Sequence, residues 1–407
     1  MNCMIAQSGG PTVAINSSLA GALTAAEKSK AFGKVYGAIN GIIGVLNDNI
    51  MDLSERSASI SDFTSRLSLT PGMYLGSCRY KIPAGADGEA DYKRIFEIFK
   101  KYDIGAFFYI GGNDSMDTVD KLSRYADSIS SEVRVIGIPK TIDNDLACTD
   151  HTPGFGSAAK YVACTVREIA YDAYIYADPS VTIAEIMGRD AGWLTASSAL
   201  ARTAGSPAPD LIYLPEVAFS LDDCIKRTRE LLKKKNSVII AVSEGIRDKD
   251  GKYISSSSER LDRFGHAMLS GAGKTLENIM RDELKIKVRS VEINVLQRCA
   301  MHMASLTDLK EAGLLGETAV SLALSGKTGL MTVIKRESSA PYKVQYAETP
   351  VSSVANAVRN VPRDFINESG DDVTEKMIEY LKPLIQGEPA VRYADGLPDY
   401  LPEEHLF

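Results

Sequence analysis

Histidine and paired cysteine are scarce in this 407-residue chain. Its four histidines, His151, His266, His302 and His405, show no metal-ligating spacing, and each reads as structural or surface. The six cysteines, Cys3, Cys78, Cys148, Cys164, Cys224 and Cys299, form no C-x-x-C pair. That speaks against zinc and reads as reduced thiols, not disulfides. No apolar run approaches the roughly 20 residues that span a bilayer. Residues 1–5 lack the basic region and cleavage site of a signal peptide. The expected location is cytoplasmic, with no membrane contact. A net charge of −7 suggests no nucleic-acid partner, so an anionic substrate has to be held by locally placed Lys and Arg. There is no solenoid-period repeat and no low-complexity tract. The composition is that of an ordinary globular chain, and its length allows two domains.

Against these absences stand two apolar runs. Residues 104–110 end in Gly111-Gly112-Asn113-Asp114-Ser115, and residues 133–138 end in Pro139-Lys140-Thr141-Ile142-Asp143-Asn144-Asp145. Continuous apolar runs of this length read as strands buried on both faces. A helical stretch over 115–127 lies between them. Strand, helix, strand is a parallel crossover unit. Ligands of such sheets sit beyond the carboxyl ends of the strands, so both polar clusters face one crevice.

The alternation extends in both directions. A strand over 1–6 runs into Gln7-Ser8-Gly9-Gly10-Pro11-Thr12 and a helix over 13–29. Such a glycine turn before a helix suits a phosphate, and a plain strand–helix turn fits equally well. Arg79 follows Gly76-Ser77-Cys78, where its guanidinium could fork onto phosphate oxygens or serve as a solvated charge. Strands are predicted at 34–39, 181–186, 211–214, 237–242, 287–295 and 329–336. Helices are predicted at 89–101, 193–203, 222–235, 305–325 and 373–380. Residues 47–67 are polar and mixed, and 247–263 read as a serine-rich loop. Two α/β domains are expected, one over 1–153 completed by chain from about 297–407, the other over 154–296.

Two glycine motifs are set aside. Gly154-Phe155-Gly156-Ser157-Ala158-Ala159 fits the loose dinucleotide pattern, yet a proline and an Asp/Asn-rich segment precede it instead of a strand. Gly271-Ala272-Gly273-Lys274-Thr275 resembles part of a P-loop, but Met268 stands where the motif needs glycine. Both read as turns entering helices.

Asp143 and Asp145 lie two apart beside Lys140 and Thr141. A cation, a hydroxyl and carboxylates at a strand end suit phosphoryl transfer, which needs positioning, a metal and a carboxylate to take the acceptor's proton. An Asp of ordinary pKa, about 3.9, can serve because the acceptor hydroxyl becomes strongly acidic only as the new bond forms. An Asp-rich turn with helix caps accounts for Asn144 and Asp145, but not for Lys140 and Thr141.

These two clusters occur in order with Ser8-Gly9-Gly10, Gly76-Ser77-Cys78-Arg79, Met187-Gly188-Arg189, Pro215-Glu216, Ser243-Glu244-Gly245 and Gln297-Arg298. Together they resemble the 6-phosphofructokinase family across about residues 1–336. The resemblance implies two Rossmann-like parallel-sheet α/β domains with the active site in the cleft between them. It implies Asp143 as the base that deprotonates the C1 hydroxyl of fructose 6-phosphate. It places Thr141, Met187, Gly188, Arg189, Glu244, Arg289 and Arg298 on the sugar phosphate. It places Gly10, Arg79 and Asn113 toward the phosphoryl donor and its Mg2+, with Asn113 as the metal contact. A homodimer or homotetramer follows, in which Arg289 can cross a subunit interface. Asn113 stands where many members have an acidic residue, Ser180 where ATP-using members often have arginine, and Val295 where His or Tyr is common.

Two positions bear on the donor. ATP-using members usually carry glycine where this chain has Asp114 and Lys140, and the pair resembles the pyrophosphate-dependent branch. A carboxylate at Asp114 would meet the α-phosphate of ATP. Two like charges about 4 Å apart cost roughly 4 kcal/mol at an effective dielectric of 20. Lys140 supplies a cation to pyrophosphate, which has no adenosine to bind. The expected reaction moves a phosphoryl group from pyrophosphate to fructose 6-phosphate, reversibly, with Asp143, Lys140, Asp114 and Thr141 at its centre. An ATP-dependent phosphofructokinase is the alternative. A non-catalytic regulatory subunit would not need its intact Lys140, Thr141, Asp143 and Arg189. A Rossmann dehydrogenase fails for want of an acidic residue placed to read a ribose.

Overall fold

The structure is a computed structural model that describes residues 1–254 and 271–406. Residues 255–263 of the expected serine-rich loop, and His266, lie outside the described residues. Two sheets organise the chain. The first contains β1 (Asn2–Gln7), β2 (Val35–Ala38), β3 (Ile50–Asp52), β4 (Ile104–Gly111), β5 (Arg134–Pro139), β10 (Leu330–Ser339) and β11 (Tyr342–Pro350). Their order is β11-β10-β5-β4-β1-β2-β3. The five inner strands run parallel, and β3 and β11 are antiparallel edges. The second sheet contains β6 (Ser180–Ile186), β7 (Leu211–Tyr213), β8 (Ser237–Ser243) and β9 (Lys287–Glu292), all parallel in the order β7-β8-β6-β9.

The apolar runs behave as double-faced strands. Ala106, Phe108 and Ile110 enter one hydrophobic cluster, while Phe107 and Tyr109 enter another on the opposite face. Burying each large side chain contributes roughly 1.5–3 kcal/mol, which fixes the register. That register brings the strand ends level: Gln7 is opposite Ile110, and Gly111 opposite Pro139. In the second sheet Ile186 is opposite Ser243. The turns that follow these strands therefore start at matched heights. Residues 47–67, read only as mixed, fold as β3 and two short helices, Leu53–Ser59 and Phe63–Ser68. Asp52 caps the first of them by accepting from the Glu55 N–H at 3.0 Å.

The chain after β9 divides. Strands β10 and β11 return to the first sheet, as does Leu401, which joins the cluster of Ile5 and Phe108. The expected return of all of 297–407 to that unit does not hold for the stretch between. Val361, Ile366, Val373, Met377, Tyr380, Leu381 and Leu384 share a cluster with Ile186, Ile212 and Ile239 of the second sheet. Their apolar side chains join Phe155, Val162 and Trp193 of the second unit's own helices in that cluster. Among the described residues no helix is long and apolar enough to cross a membrane.

Candidate active site

A cleft of about 440 Å³ lies where the two sets of strand ends meet. Its walls include Gly10, Arg79, Asn113, Asp114, Lys140, Thr141, Asp143, Met187, Arg189, Glu244 and Arg298. Gly188 is at its margin, and its N–H lies 3.3 Å from the Glu244 Oε1 that accepts from it.

Lys140 is the buried cation of this cleft. It is 2% exposed, and its Nζ donates to the Gly10 carbonyl at 2.8 Å. Its backbone N–H donates to the Gly111 carbonyl at 2.8 Å, tying the end of β5 to that of β4. Gly9 has φ of 86°, and a Cβ there would stand 3.0 Å from the lysine Nζ. Glycine is thus required both by backbone and by the ammonium. Burial pushes Lys140 down to about 8, helped by Arg298 and opposed by Asp143 and Asp145. Arg298 comes close as well, its guanidinium carbon 3.8 Å from where a Gly10 Cβ would be.

Three carboxyl groups face these cations. Asp143 is raised above its ordinary value by burial, while Arg298, Lys140 and Arg189 pull it back. The Thr141 hydroxyl accepts from the Asp143 N–H at 3.1 Å and lies 3.4 Å from the Asp143 carboxylate. Burial and the neighbouring Asp143 push Asp145 up to about 7. Burial also pushes Glu244 up to about 7, against the Gly188 N–H. Perturbed carboxyls beside cations in one cleft mark a site of proton transfer or anion chemistry. Asp114 is half-exposed, 3.7 Å from the Lys81 ammonium. Among the described residues the Arg189 Nε is buried without a hydrogen-bond partner, a donor that a bound anion would satisfy.

Of two further expected site residues, Arg289 stands outside the cleft and Asn113 lines it. Arg289 is on β9, where it donates to Thr182 Oγ1 at 3.1 Å and pairs with Asp172. It does not reach the cleft of its own chain, because β9 presents it near the start of the strand and not at the carboxyl end. Asn113 does line the cleft, but its carboxamide is engaged. Its Nδ2 donates to the Ala357 carbonyl at 2.8 Å, and its Oδ1 accepts from the Asn356 N–H at 2.6 Å. Asn113, the expected metal contact, thus also clamps residues 356–357, with its Oδ1 already accepting one N–H.

The phosphofructokinase family profile matches residues 2–323. The chain belongs to the phosphofructokinase family. It is 42% identical over 403 residues to a pyrophosphate–fructose 6-phosphate 1-phosphotransferase of Xanthomonas campestris pv. campestris, covering 98% of this chain and 95% of that one. It is 39% identical to a protein of the same name from Methylococcus capsulatus, again over 98% and 95%. The crystal structure of a pyrophosphate-dependent phosphofructokinase from Nitrosospira multiformis superposes with a TM-score of 0.88 at 38% identity, covering 98% of this chain and 95% of the other.

The glycine turns set aside in the sequence are closed by carboxylates of the protein itself. Asp308 accepts from the Gly154 N–H at 2.9 Å and the Ser157 N–H at 3.0 Å. Glu185 accepts from the Gly271 N–H at 3.1 Å and the Gly273 N–H at 2.7 Å. The N–H groups that a phosphate would use are taken. Lys81, Asn356 and Val358 also wall the cleft, and none of the three stood out in the sequence. Asp145 was visible in the sequence as a second carboxylate two residues on. Asn356 and Val358 had no local signal, because only tertiary packing carries them there.

Proposed function

We propose that this protein transfers a phosphoryl group from pyrophosphate to the C1 hydroxyl of fructose 6-phosphate, giving fructose 1,6-bisphosphate and phosphate. The observation that carries the reading is the buried Lys140 ammonium, tied to Gly10, in the same cleft as Asp143. The relatives described above bear names for this reaction. The first sheet forms the donor-binding unit and the second the sugar-phosphate-binding unit. Asp143 takes the C1 proton as that oxygen attacks phosphorus; the bridging P–O bond breaks and phosphate leaves. Lys140 and Arg298 stabilise the charge that develops on the phosphates. Thr141 orients the Asp143 carboxylate. Arg189, Met187, Gly188 and Glu244 position the sugar phosphate, while Gly10 and Arg79 face the donor.

Mg2+ fits this donor set. Asp145 offers a hard oxygen ligand two residues from the base, and a bound cation would offset the burial and the Asp143 charge that raise it. When bound with the phosphates it supplies charge neutralisation. Arg289 acts in a different copy. The neighbouring helix end and β9 carry exposed Tyr171, Ile175, Tyr176 and Val291, an apolar face suited to a second copy of this chain. In the resulting homodimer, or a homotetramer built from it, Arg289 serves the neighbour's cleft and not its own. The deciding assay compares pyrophosphate with ATP at equal concentrations, with fructose 6-phosphate and Mg2+. Faster turnover of ATP would give the reaction to the ATP-dependent alternative.

A further inference from the structure

The turn that carries Asp143 is braced from behind by chain that the family profile does not cover. Asn144, at its apex, is fully buried and holds a left-handed backbone with φ of 55°. Its Oδ1 accepts from the Thr152 N–H at 3.1 Å. Its Nδ2 donates to the Tyr380 hydroxyl at 2.9 Å. That hydroxyl donates onward to the Asp150 carbonyl at 2.8 Å. The next residue of the turn is held too, because the Arg359 N–H donates to the Asp145 carbonyl at 2.8 Å. Leu146 then forms an antiparallel bridge with Val358. The restraints from Tyr380, Arg359 and Val358 come from residues after 350, whereas the family profile ends at residue 323.

Tyr380 is itself immobilised. Its ring lies 5.2 Å from that of Trp193, in the second unit, and 4.5 Å from the Arg336 guanidinium, on β10. One side chain thus contacts the turn, the first sheet and the second unit's core. A hydroxyl held in this way has little freedom to follow a shifting turn, so it fixes where Asn144 stands. Asn144 precedes Asp145 and follows Asp143 directly, so its placement sets the direction of both carboxyls.

We propose that Tyr380 is a positioning residue for phosphoryl transfer, holding the 141–145 turn so that Asp143 meets the acceptor hydroxyl. The inference rests on the role given to Asp143 above. A displacement of about 1 Å at a reacting group can cost on the order of 100-fold in rate. Substrate contacts made by Arg189, Arg298 and Lys140 do not pass through Tyr380, so binding should survive its loss.

The test compares Tyr380→Phe with Tyr342→Phe. Tyr342 is a control of the same kind, since its hydroxyl donates to the buried Glu311 at 2.7 Å and makes no described hydrogen bond to the turn. Melting midpoint, kcat and both KM values are measured for each full-length variant. Tyr380→Phe should lower kcat about tenfold to 100-fold, with both KM values within about threefold of the parent. Tyr342→Phe should lower the melting midpoint by a similar amount and leave kcat within twofold. A kcat within twofold in Tyr380→Phe, or a parallel kcat loss in Tyr342→Phe, overturns the proposal. Should Tyr380→Phe fail to fold, Asn144→Gly removes the same hydrogen bond from the other side and keeps the left-handed backbone. It must show the kcat loss, and a kcat within twofold of the parent overturns the proposal equally. Parent turnover with pyrophosphate or ATP decides the donor reading separately. The variant-to-parent ratio, taken on whichever donor the parent uses, decides this one.

Discussion

Replacing Lys140 by methionine separates what the cation does for the reaction from what it costs the fold. Methionine keeps an unbranched apolar stem and removes the ammonium. In the protein without substrates, burial brings Lys140 from 10.5 to about 8. At about 1.36 kcal/mol per pKa unit, the buried charge destabilises the fold by on the order of 3 kcal/mol. That figure already includes the attraction of Asp143 and Asp145, which counts among the causes of the value. The folded pKa is below the unfolded one, so the cost is full below about pH 8 and fades as pH rises toward 10.5. The substitution also strands the Gly10 carbonyl that accepts from Nζ, which returns about 1 kcal/mol. Lys140→Met should therefore be more stable than the parent by about 2 kcal/mol at pH 7, with the gain nearly gone at pH 10. Its turnover of pyrophosphate should fall about 100-fold, the effect of losing one charge-assisted contact in the transition state. Denaturant titrations at the two pH values and a pyrophosphate assay read both effects. A variant that is less stable by the same margin at both pH values, or that turns over pyrophosphate within threefold of the parent, would refute the reasoning.

Asp143→Asn should bind both substrates and lose about 100- to 10,000-fold in kcat; calorimetric titration checks the binding, and activity within threefold of the parent removes Asp143 from the base role. Asp114→Gly should tighten ATP as a competitor of pyrophosphate by up to about tenfold. That is less than the bare repulsion predicts, because Asp114 is half-exposed and Lys81 is 3.7 Å away; an unchanged inhibition constant would detach Asp114 from donor choice. His151, held between Asp150 at 2.7 Å and Glu311 at 2.6 Å, concerns stability. Burial would lower it, but the two carboxylates prevail and raise it from 6.5 to about 9. Its contribution is full below about pH 6.5 and is lost as pH rises through 9. Glu311→Gln should flatten the stability profile across that window, and an unchanged profile would contradict this.

The parts of the fold legible in the sequence are those where a short stretch carries its own signal. The runs ending at Gly111 and Pro139 are continuous and apolar because helices cover both faces of their sheet, and their polar turns stand out by contrast. The helix over 89–101 was readable to the residue from its amphipathic spacing. Arg289 shows the opposite case. Its motif position implies a sugar contact, yet within one chain it is tied to Thr182 and Asp172, because the sequence does not say which copy's cleft an arginine serves. Asn113 was read as facing a metal, and nothing in the sequence showed that its carboxamide also holds residues 356–357. Nothing near Asn356 or Tyr380 signals that they reach the turn and helix at 113–145. Their partners lie more than 200 residues away in the chain, and no periodicity or spacing rule spans that distance.

The first sheet has a consequence for how the protein is made. Strand β5 ends at Pro139, but β10, its neighbour on the open side, does not begin until Leu330. At roughly 5–20 residues per second, a ribosome needs about 10–40 s to supply the missing strand. Throughout that interval Val135, Ile136 and Ile138, all fully buried in the finished protein, border an unpaired edge. Such an edge is a template for pairing with another chain, and closing it late is slow because the partners are far apart in sequence. The proline at the end of β5 removes one donor from that edge. A nascent chain that stops near residue 153 carries the open edge with it, however well its own helices pack.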